Sequence, residues 1–429
     1  MLNLNEIFKV VDKLDSEEIM DIMKSLICIN TSVPPANTYR EYVDAIKPYF
    51  KQLDYSLEEV IVPEGLVQQI PQPLEGPRIN LVATKDFGQK NYVSFYGHMD
   101  VVPAPEEGSQ KWRHPPFQAT LTKNGRIYGR GVADMKGAMA SLIIALKLIK
   151  KMNLTPKYNI RVLNCTDEEI GAYPGIRYLA EQGYVKGVVF CMELFVTPLI
   201  PIGLNGCLDV IIETFGKSCH SGENYLGVNA LEEMIPILNE LMELKKRVEM
   251  RSSKNIPSSR RTESGDQINL TPMFNLDIIH SGIKSNIVPD YCTLTINRRY
   301  LPDESFEEVK NEIKEAIKRA TAKSKAIDVK VTYFLLYPPV KANPNGPNVS
   351  KMKRVISLVQ NIDEEKIPIS GFSGSTDMGF VTDILDTDDI IVHGLMTFNS
   401  NYHAINEYIK IKDVKMYIKE LIVFLCADI

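Results

Sequence analysis

Cys-x-x-Cys pairs are missing from the 429 residues, and the seven cysteines (28, 165, 191, 207, 219, 292 and 426) are scattered and odd in number. That excludes a zinc ribbon and a dithiol redox centre, and it fits a reducing compartment better than a disulfide framework. Nowhere do about 18 apolar residues run uninterrupted, the length a membrane-spanning helix needs. The opening stretch, MLNLNEIFKVVDKLDSEEIMDIMKSL, is charged and helix-periodic. It lacks the apolar core and small-residue cleavage site of a secretory signal. A cytoplasmic location with no membrane partner is therefore expected. Excess positive charge is absent as well. A net charge of −5 removes the electrostatic reason to expect a nucleic-acid partner. One local basic run, KKRVEMRSSKNIPSSRR (245–261), follows a helical pattern and reads as a solvated helix end and loop. Internal repeats and low-complexity tracts are lacking. GRGVADMKG bears glycines before a helix but is neither G-x-G-x-x-G nor a P-loop, so a nucleotide-binding protein has little support.

What is present suits a globular α/β protein, with 44% hydrophobic and 24% charged residues. Residues 5–28 and 38–52 read as amphipathic helices. RINLVATK (78–85) and YVSFYGHMD (92–100) read as strands, followed by a helix at 135–152. KYNIRVLNCTDEE (157–169) is a strand ending in acid, 175–184 a helix, and GVVFCMEL (187–194) another apolar strand. Alternation with nearly continuous apolar strands implies a mostly parallel sheet covered by helices. Near residue 207 the pattern changes to strand 208–216, helix 227–249, strands 273–282 and 291–300, helix 303–322 and strand 327–336. That is the ferredoxin-like βαββαβ order, in an insertion of about 130 residues, an ordinary domain size. The expected organisation is a discontinuous α/β domain, 1–206 and 338–429, with an inserted domain at 207–337. YPPVKANPNGPN (337–348) is a linker back to helix 349–360, the loop GFSGSTDMG (371–379), strand 389–395, the loop MTFNSNYHAINEYI (396–409) and a terminal helix.

The chemistry-bearing residues share one position. They lie at the C-terminal ends of the expected strands or just beyond, the edge where open α/β sheets bind ligands. His98 and Asp100 end one strand on the same side of it, as a metal-binding imidazole and its carboxylate partner would. Asp134 follows a glycine-permitted turn at a helix start, where a plain N-cap is the ordinary reading. TDEE stacks three acids at a strand end, and such crowding costs energy unless a cation or solvent relieves it. Glu193 sits in an apolar strand, where a carboxylate is rarely buried without a partner. His403 lies in the last loop. Two imidazoles and three carboxylates (His98, Asp134, Glu169, Glu193 and His403) suit two divalent zinc ions bridged by one carboxylate. With no thiolate among them, manganese and cobalt remain open. Glu168 is then placed to take a proton from a metal-bound water.

GHMDVVP, GRGVADMKG, TDEEIGA, GKSCHSG, SNIVPDYCTLTINRRYLP and YHAINE, in this order and spacing, resemble a known family. It is the dinuclear zinc amidohydrolases that include acetylornithine deacetylase, succinyl-diaminopimelate desuccinylase, aminoacylase and glutamate carboxypeptidase. The motifs cover about residues 92–407. The resemblance implies that His98 and Glu193 hold one zinc, Glu169 and His403 the other, and that Asp134 bridges them, with a cis peptide to Met135. It implies further that Asp100 orients His98 and that Glu168 is the general base. The inserted domain becomes a lid and dimerisation domain of a homodimer. His220 would come from the partner subunit's lid to stabilise the oxyanion. Asn286 and Arg299 would grip a substrate carboxylate, Arg299 being preferred to Arg298, and Gly374, Ser375 and Asn399 would line the substrate pocket.

The implied reaction is hydrolysis of a linear amide in a small molecule with a free carboxylate. An N-acyl amino acid is the first expectation and a dipeptide or C-terminal peptide substrate the second. A non-catalytic metal-stabilised scaffold would have lost a ligand or the base, and none is missing. Gly222 stands where the family often has a small hydroxyl residue. GFSGSTDMG matches the desuccinylases' glycine-rich loop only loosely, and extra residues near 62–77 and 250–268 lengthen the chain. These departures bear on the substrate and leave the metal chemistry alone.

Overall fold

The computed structural model describes residues 3–104, 111–171 and 173–429. Ala172, the last residue of TDEEIGA, lies outside them. The chain divides into two compact units. The first comprises Met1–Ile202, Ala342–Ile369 and Phe380–Ile429, and the second Gly203–Lys341 and Ser370–Gly379.

The first unit is built on a six-stranded sheet. Its order is Ser56–Ile61, Ile79–Lys85, Asn159–Cys165, Tyr92–His98, Val188–Cys191 and Ile390–Val392. Tyr92–His98 pairs in parallel with both of its neighbours, and Ile390–Val392 pairs in parallel with Val188–Cys191. The first two strands add on by antiparallel pairing. Apolar sequence dictates the parallel centre: every residue from Val93 to His98 is buried. Ser56–Ile61, which the sequence reading does not anticipate, is an edge strand. Only its Val60 is buried; Glu58 is exposed, while the half-buried Glu59 pairs with Arg40 and Lys47 of the helix beside it.

Register places the strand ends together. His98 stands beside Cys165, Tyr96 beside Cys191, and Cys191 beside Val392. From Tyr92–His98 the chain passes through helix Lys136–Lys151 to the neighbour on one side. It then passes through helix Ile176–Glu181 to the neighbour on the other. That reversal of direction opens a crevice at the carboxyl ends of the strands.

Helices pack on this sheet through apolar side chains. Lys136–Lys151 is buried along most of its length and is contacted by Ser16–Ile27 and Ile411–Cys426. The ring of Phe424 lies 5.2 Å from that of Phe190, 5.6 Å from Tyr158 and 6.5 Å from Phe95, centroid to centroid. Gly97 permits the close approach of sheet and helix, since a methyl group there would stand 2.9 Å from both Met135 and Met139. The expected helix 5–28 is two helices, Leu4–Asp12 and Ser16–Ile27. Asp15 interrupts them because its carboxylate caps the second by accepting the Glu17 N–H.

The second unit contains an antiparallel sheet in the order Met273–Ser281, Tyr291–Tyr300, Gly206–Phe215, Asp328–Tyr337. Helices Ala230–Glu249 and Phe306–Thr321 close its core, in which Leu208, Val210, Ile212, Leu294 and Ile296 are buried. Two-residue periodicity turns Cys292, Leu294, Ile296, Arg298 and Tyr300 to the buried side. Thr293, Thr295, Asn297 and Arg299 face the other way. Beyond the helix end at Glu249, the basic run 245–261 departs from the expected loop. Pro257–Arg261 and Gln267–Asn269 form a hairpin, because Ile256 and Leu270 at its root are buried apolar anchors. Ser258 of this hairpin pairs with Gly371, which helps to place Ser370–Gly379 with the second unit.

No helix among the described residues is long and apolar enough to cross a membrane. All seven cysteines are free thiols.

Candidate metal centre

Four segments of the first unit converge beyond the strand ends. His98 is the last residue of its strand, and Asp134 precedes helix Lys136–Lys151. Glu169 lies in the short helical turn Glu168–Ile170, and His403 in the loop before the last helix. The Asp134 carboxylate spans two imidazoles: Oδ1 lies 3.2 Å from His98 Nε2 and Oδ2 lies 3.1 Å from His403 Nε2. His403 Nε2 is also 3.0 Å from Glu169 Oε2. Ligand atoms of His98, Asp134 and Glu169 lie within 4.8 Å of one another, an arrangement that could hold a metal ion. Glu169 Oε1 is buried and has no hydrogen-bond partner among the described residues. Nitrogen and oxygen donors with one orphaned carboxylate oxygen fit a divalent cation, and the absence of thiolate fits a hydrolytic rather than a structural zinc site.

Glu168 and Glu193 are both buried, and their carboxylates come within 4.8 Å of each other. Glu193 lies two residues beyond the end of its strand at Cys191 rather than inside it. Leu194 turns the chain there with a φ of 64°. The peptide between Asp134 and Met135 is cis.

Asp100 holds the cluster in a way its sequence position does not reveal. One carboxylate oxygen accepts the Glu169 backbone N–H at 2.9 Å, and the other stands 3.6 Å from His98 Nδ1. The closer partner of His98 Nδ1 is the Asp100 backbone carbonyl, at 3.1 Å. Asp100 thus ties the His98 segment to the acidic turn, and its main chain fixes the imidazole.

Two supporting residues escape sequence reasoning. Glu407, the last residue of YHAINE, is fully buried. It accepts from Arg130 Nη1 at 2.7 Å and from the backbone N–H groups of Gly131, Ala133 and Asp134 at 3.1, 2.8 and 3.2 Å. It therefore fastens the loop carrying His403 to the loop carrying Asp134. The second is Arg78, whose Nε lies 3.4 Å from Asp167 Oδ2, while Tyr39 donates to Asp167 Oδ1 at 3.1 Å. This buried cation relieves the crowding of the TDEE turn. The only sequence signal was a charge opening an apolar strand.

Electrostatics follow from the crowding. Burial would push Asp134 up, but hydrogen bonds from His403 and His98 hold it well below the usual carboxylate range. Burial opposes protonation of His98 and His403, yet the facing carboxylates raise both, His403 to about 10. Burial and the Asp134 charge raise Glu169, and burial raises Asp100 against the pull of His98. Without metal, imidazolium protons supply part of the positive charge the cluster needs.

Of the other expected site residues, Asn399 is exposed in the first unit, near the His403 loop in sequence. The second unit holds His220, Asn286, Arg299, Gly374 and Ser375. His220 and Asn286 are exposed and belong to paired segments, for the Ser221 N–H donates to the Asn286 carbonyl at 3.1 Å. Arg299 donates to Ser375 Oγ at 2.8 Å and to Asn297 Oδ1 at 3.2 Å. Arg298 is buried against Glu304 and is spent on structure.

Known proteins resemble this chain over most of its length. Residues 94–425 match the model of the peptidase family M20/M25/M40. A probable succinyl-diaminopimelate desuccinylase of Staphylococcus aureus is 28% identical over 379 residues, 82% of this chain and 86% of its own. The fold is shared with the dipeptidase Dug1p of Saccharomyces cerevisiae, with a TM-score of 0.77, 16% identity and 98% of each chain covered. It is shared too with an M20 family metallo-carboxypeptidase of Sulfolobus solfataricus, with a TM-score of 0.75, 20% identity, and 96% of this chain and 98% of that one covered.

Two outcomes follow from the geometry. Metal ligation needs neutral imidazoles, so zinc added to metal-free protein at pH 7 releases protons, and affinity rises with pH toward the His403 value of about 10. Calorimetric titration in buffers of different ionisation enthalpy checks this, and a buffer-independent enthalpy contradicts it. Glu407→Ala leaves Arg130 buried without its partner and costs about 3–5 kcal/mol in denaturant unfolding, the scale of a broken buried ion pair.

Proposed function

The chain belongs to the peptidase family M20/M25/M40, a family of metal-dependent hydrolases, and on that premise we propose that it hydrolyses the amide bond of an N-acyl amino acid, as acetylornithine deacetylase and succinyl-diaminopimelate desuccinylase do. The observation that carries this is the Asp134 carboxylate spanning two imidazoles, with Glu169 and the buried acid Glu168 beside it. His98 and Glu193 would hold one Zn2+ and Glu169 and His403 the second, with Asp134 shared between them, and Co2+ or Mn2+ would be substitutes. When bound, the two ions polarise the carbonyl and bring water toward hydroxide at neutral pH.

The chain's own residues do the rest. The Glu168 carboxylate accepts a proton from the attacking water and returns it to the leaving nitrogen, acting first as base and then as acid. Asp100 keeps His98 and the Glu169 segment in place. His220 of the partner subunit's lid stabilises the oxyanion. Asn286 and the planar fork of Arg299 take the substrate carboxylate, and Gly374, Ser375 and Asn399 line the pocket.

The second unit is the ferredoxin-like lid and dimerisation domain. The strand-helix-strand-strand-helix-strand order of its four-stranded sheet and two long helices, interrupted by the 257–269 hairpin, supports this reading. So do exposed Leu231, Ile235 and Met242 along its first helix, apolar side chains of the kind that association covers. Seven free thiols support the cytoplasm. The family's name as a peptidase family supports a second reading, a dipeptide or a C-terminal peptide substrate.

A panel of N-acetylornithine, N-succinyl-diaminopimelate, other N-acetyl amino acids and dipeptides, with zinc-loaded protein, separates the two. Cleavage of N-acyl amino acids in preference to dipeptides is expected, and the reverse order moves the assignment to peptidase. Glu168→Gln is expected to bind zinc at wild-type stoichiometry while turnover falls by about 100-fold or more, the contribution of a positioned general base. Near-normal turnover in that variant removes Glu168 from the reaction.

A further inference from the structure

The basic run 245–261 reads as a solvated helix end and loop in the sequence, but residues 250–271 are built into the second unit at both ends. At one end Arg251 donates to Glu304 Oε1 at 2.7 Å, the same carboxylate that receives the buried Arg298. Ser253 and the Lys254 N–H both donate to Asp303, at 2.5 and 3.1 Å. At the other end the segment lies against the strand that leads into GFSGSTDMG. A methyl group on Gly371 would stand 2.5 Å from Ile256 and 3.0 Å from Leu270, and one on Gly203 would stand 2.9 Å from Ile256. Ile256 and Leu270 are 2% and 0% exposed, so the glycines are what allow the three backbones to close.

The contacts continue inward through Asn205, which is fully buried. Its side-chain amide donates to the Thr271 carbonyl at 3.0 Å, and its backbone N–H donates to the Phe372 carbonyl at 3.2 Å. Its own carbonyl accepts from Ser375 Oγ at 2.5 Å, and Ser375 Oγ accepts from Arg299 Nη1 at 2.8 Å. Arg299 is steadied from the other side by Asn297, which in turn donates to Asp209 at 2.6 Å.

We propose that residues 250–271 are a specificity element that sets the direction of the Arg299 guanidinium. They act through the path Ile256 and Thr271, Asn205, Ser375, Arg299. The inference rests on the reading of Arg299 as the group that receives the substrate carboxylate. Ile256 and Asn205 touch no substrate and are positioning residues. A guanidinium recognises a carboxylate through the angle of its fork as well as its charge, so a loosened wall weakens carboxylate recognition before it weakens hydrolysis.

The test compares the best-cleaved compound of the panel above with the same compound carrying a terminal carboxamide. The zinc-loaded protein is used in full length. In Ile256→Ala and in Asn205→Ala, which removes the amide held by Thr271, the preference for carboxylate over carboxamide falls about tenfold, the scale of a misaimed hydrogen bond to a charged group. The change is carried by KM, while kcat and zinc content hold. The double variant falls no further than Asn205→Ala alone, because the two act in series. Ile256→Val, which keeps the fold if the alanine variant does not, shows a smaller fall in the same ratio. Wild-type preference retained in these variants overturns the inference, as does an equal loss toward both compounds. If the wild-type protein itself has no preference for the carboxylate, the Arg299 reading fails and the inference with it.

Discussion

Parallel strands held in register bring their carboxyl ends to one edge, and here that edge carries buried carboxylates. Asp100, Asp134 and Glu168 follow or face the strand ends from inside the protein, with Glu169 and Glu193 beside them. Carboxylates at such separations repel, and burial removes the water that would screen them. The fold therefore requires positive charge at this place. The two imidazoles supply some of it, and the facing carboxylates shift both upward. A pair of divalent cations is the chemical answer to the same demand.

The surroundings of the cluster follow from that constraint. Loops that deliver charged side chains to a sheet edge have no ladder of their own, so their backbone N–H groups need partners. Glu407 supplies them for the Asp134 loop, and Asp100 supplies one for the Glu169 turn. Arg78 compensates Asp167, the acid that the cluster itself does not use. Each support belongs to a different segment of the chain from the group it holds. The centre is thus fixed by tertiary contacts that join residues 78, 100, 130 and 407 to their targets, and not by local geometry.

Much of this was legible in advance. The central strands carry dense apolar residues and are buried almost end to end, and a parallel strand buried on both faces leaves little else to choose. The acids and histidines stood out because they punctuate such strands. Edge strand Ser56–Ile61 was missed because two adjacent glutamates at its centre leave no apolar run. The hairpin at 257–269 was missed because its strands are mostly polar and its buried anchors, Ile256 and Leu270, are distant in sequence. Glu407 and Arg78 were missed because a buried support has the composition of a surface charge.

The sequence by itself determined the mixed α/β character, the place where the strand pattern changes, and the family, because local periodicity and motif spacing survive without coordinates. It also determined which types of donor are available, since imidazole and carboxylate side chains are written in the chain. Only the tertiary structure decided which oxygen of Asp134 serves which imidazole, that the Asp100 main chain rather than its carboxylate lies closest to His98, and that Arg298 is buried while Arg299 faces the open side. The reason is physical. Those choices depend on strand register and on contacts between residues far apart in sequence, and a one-residue change of register would exchange the two faces of every strand.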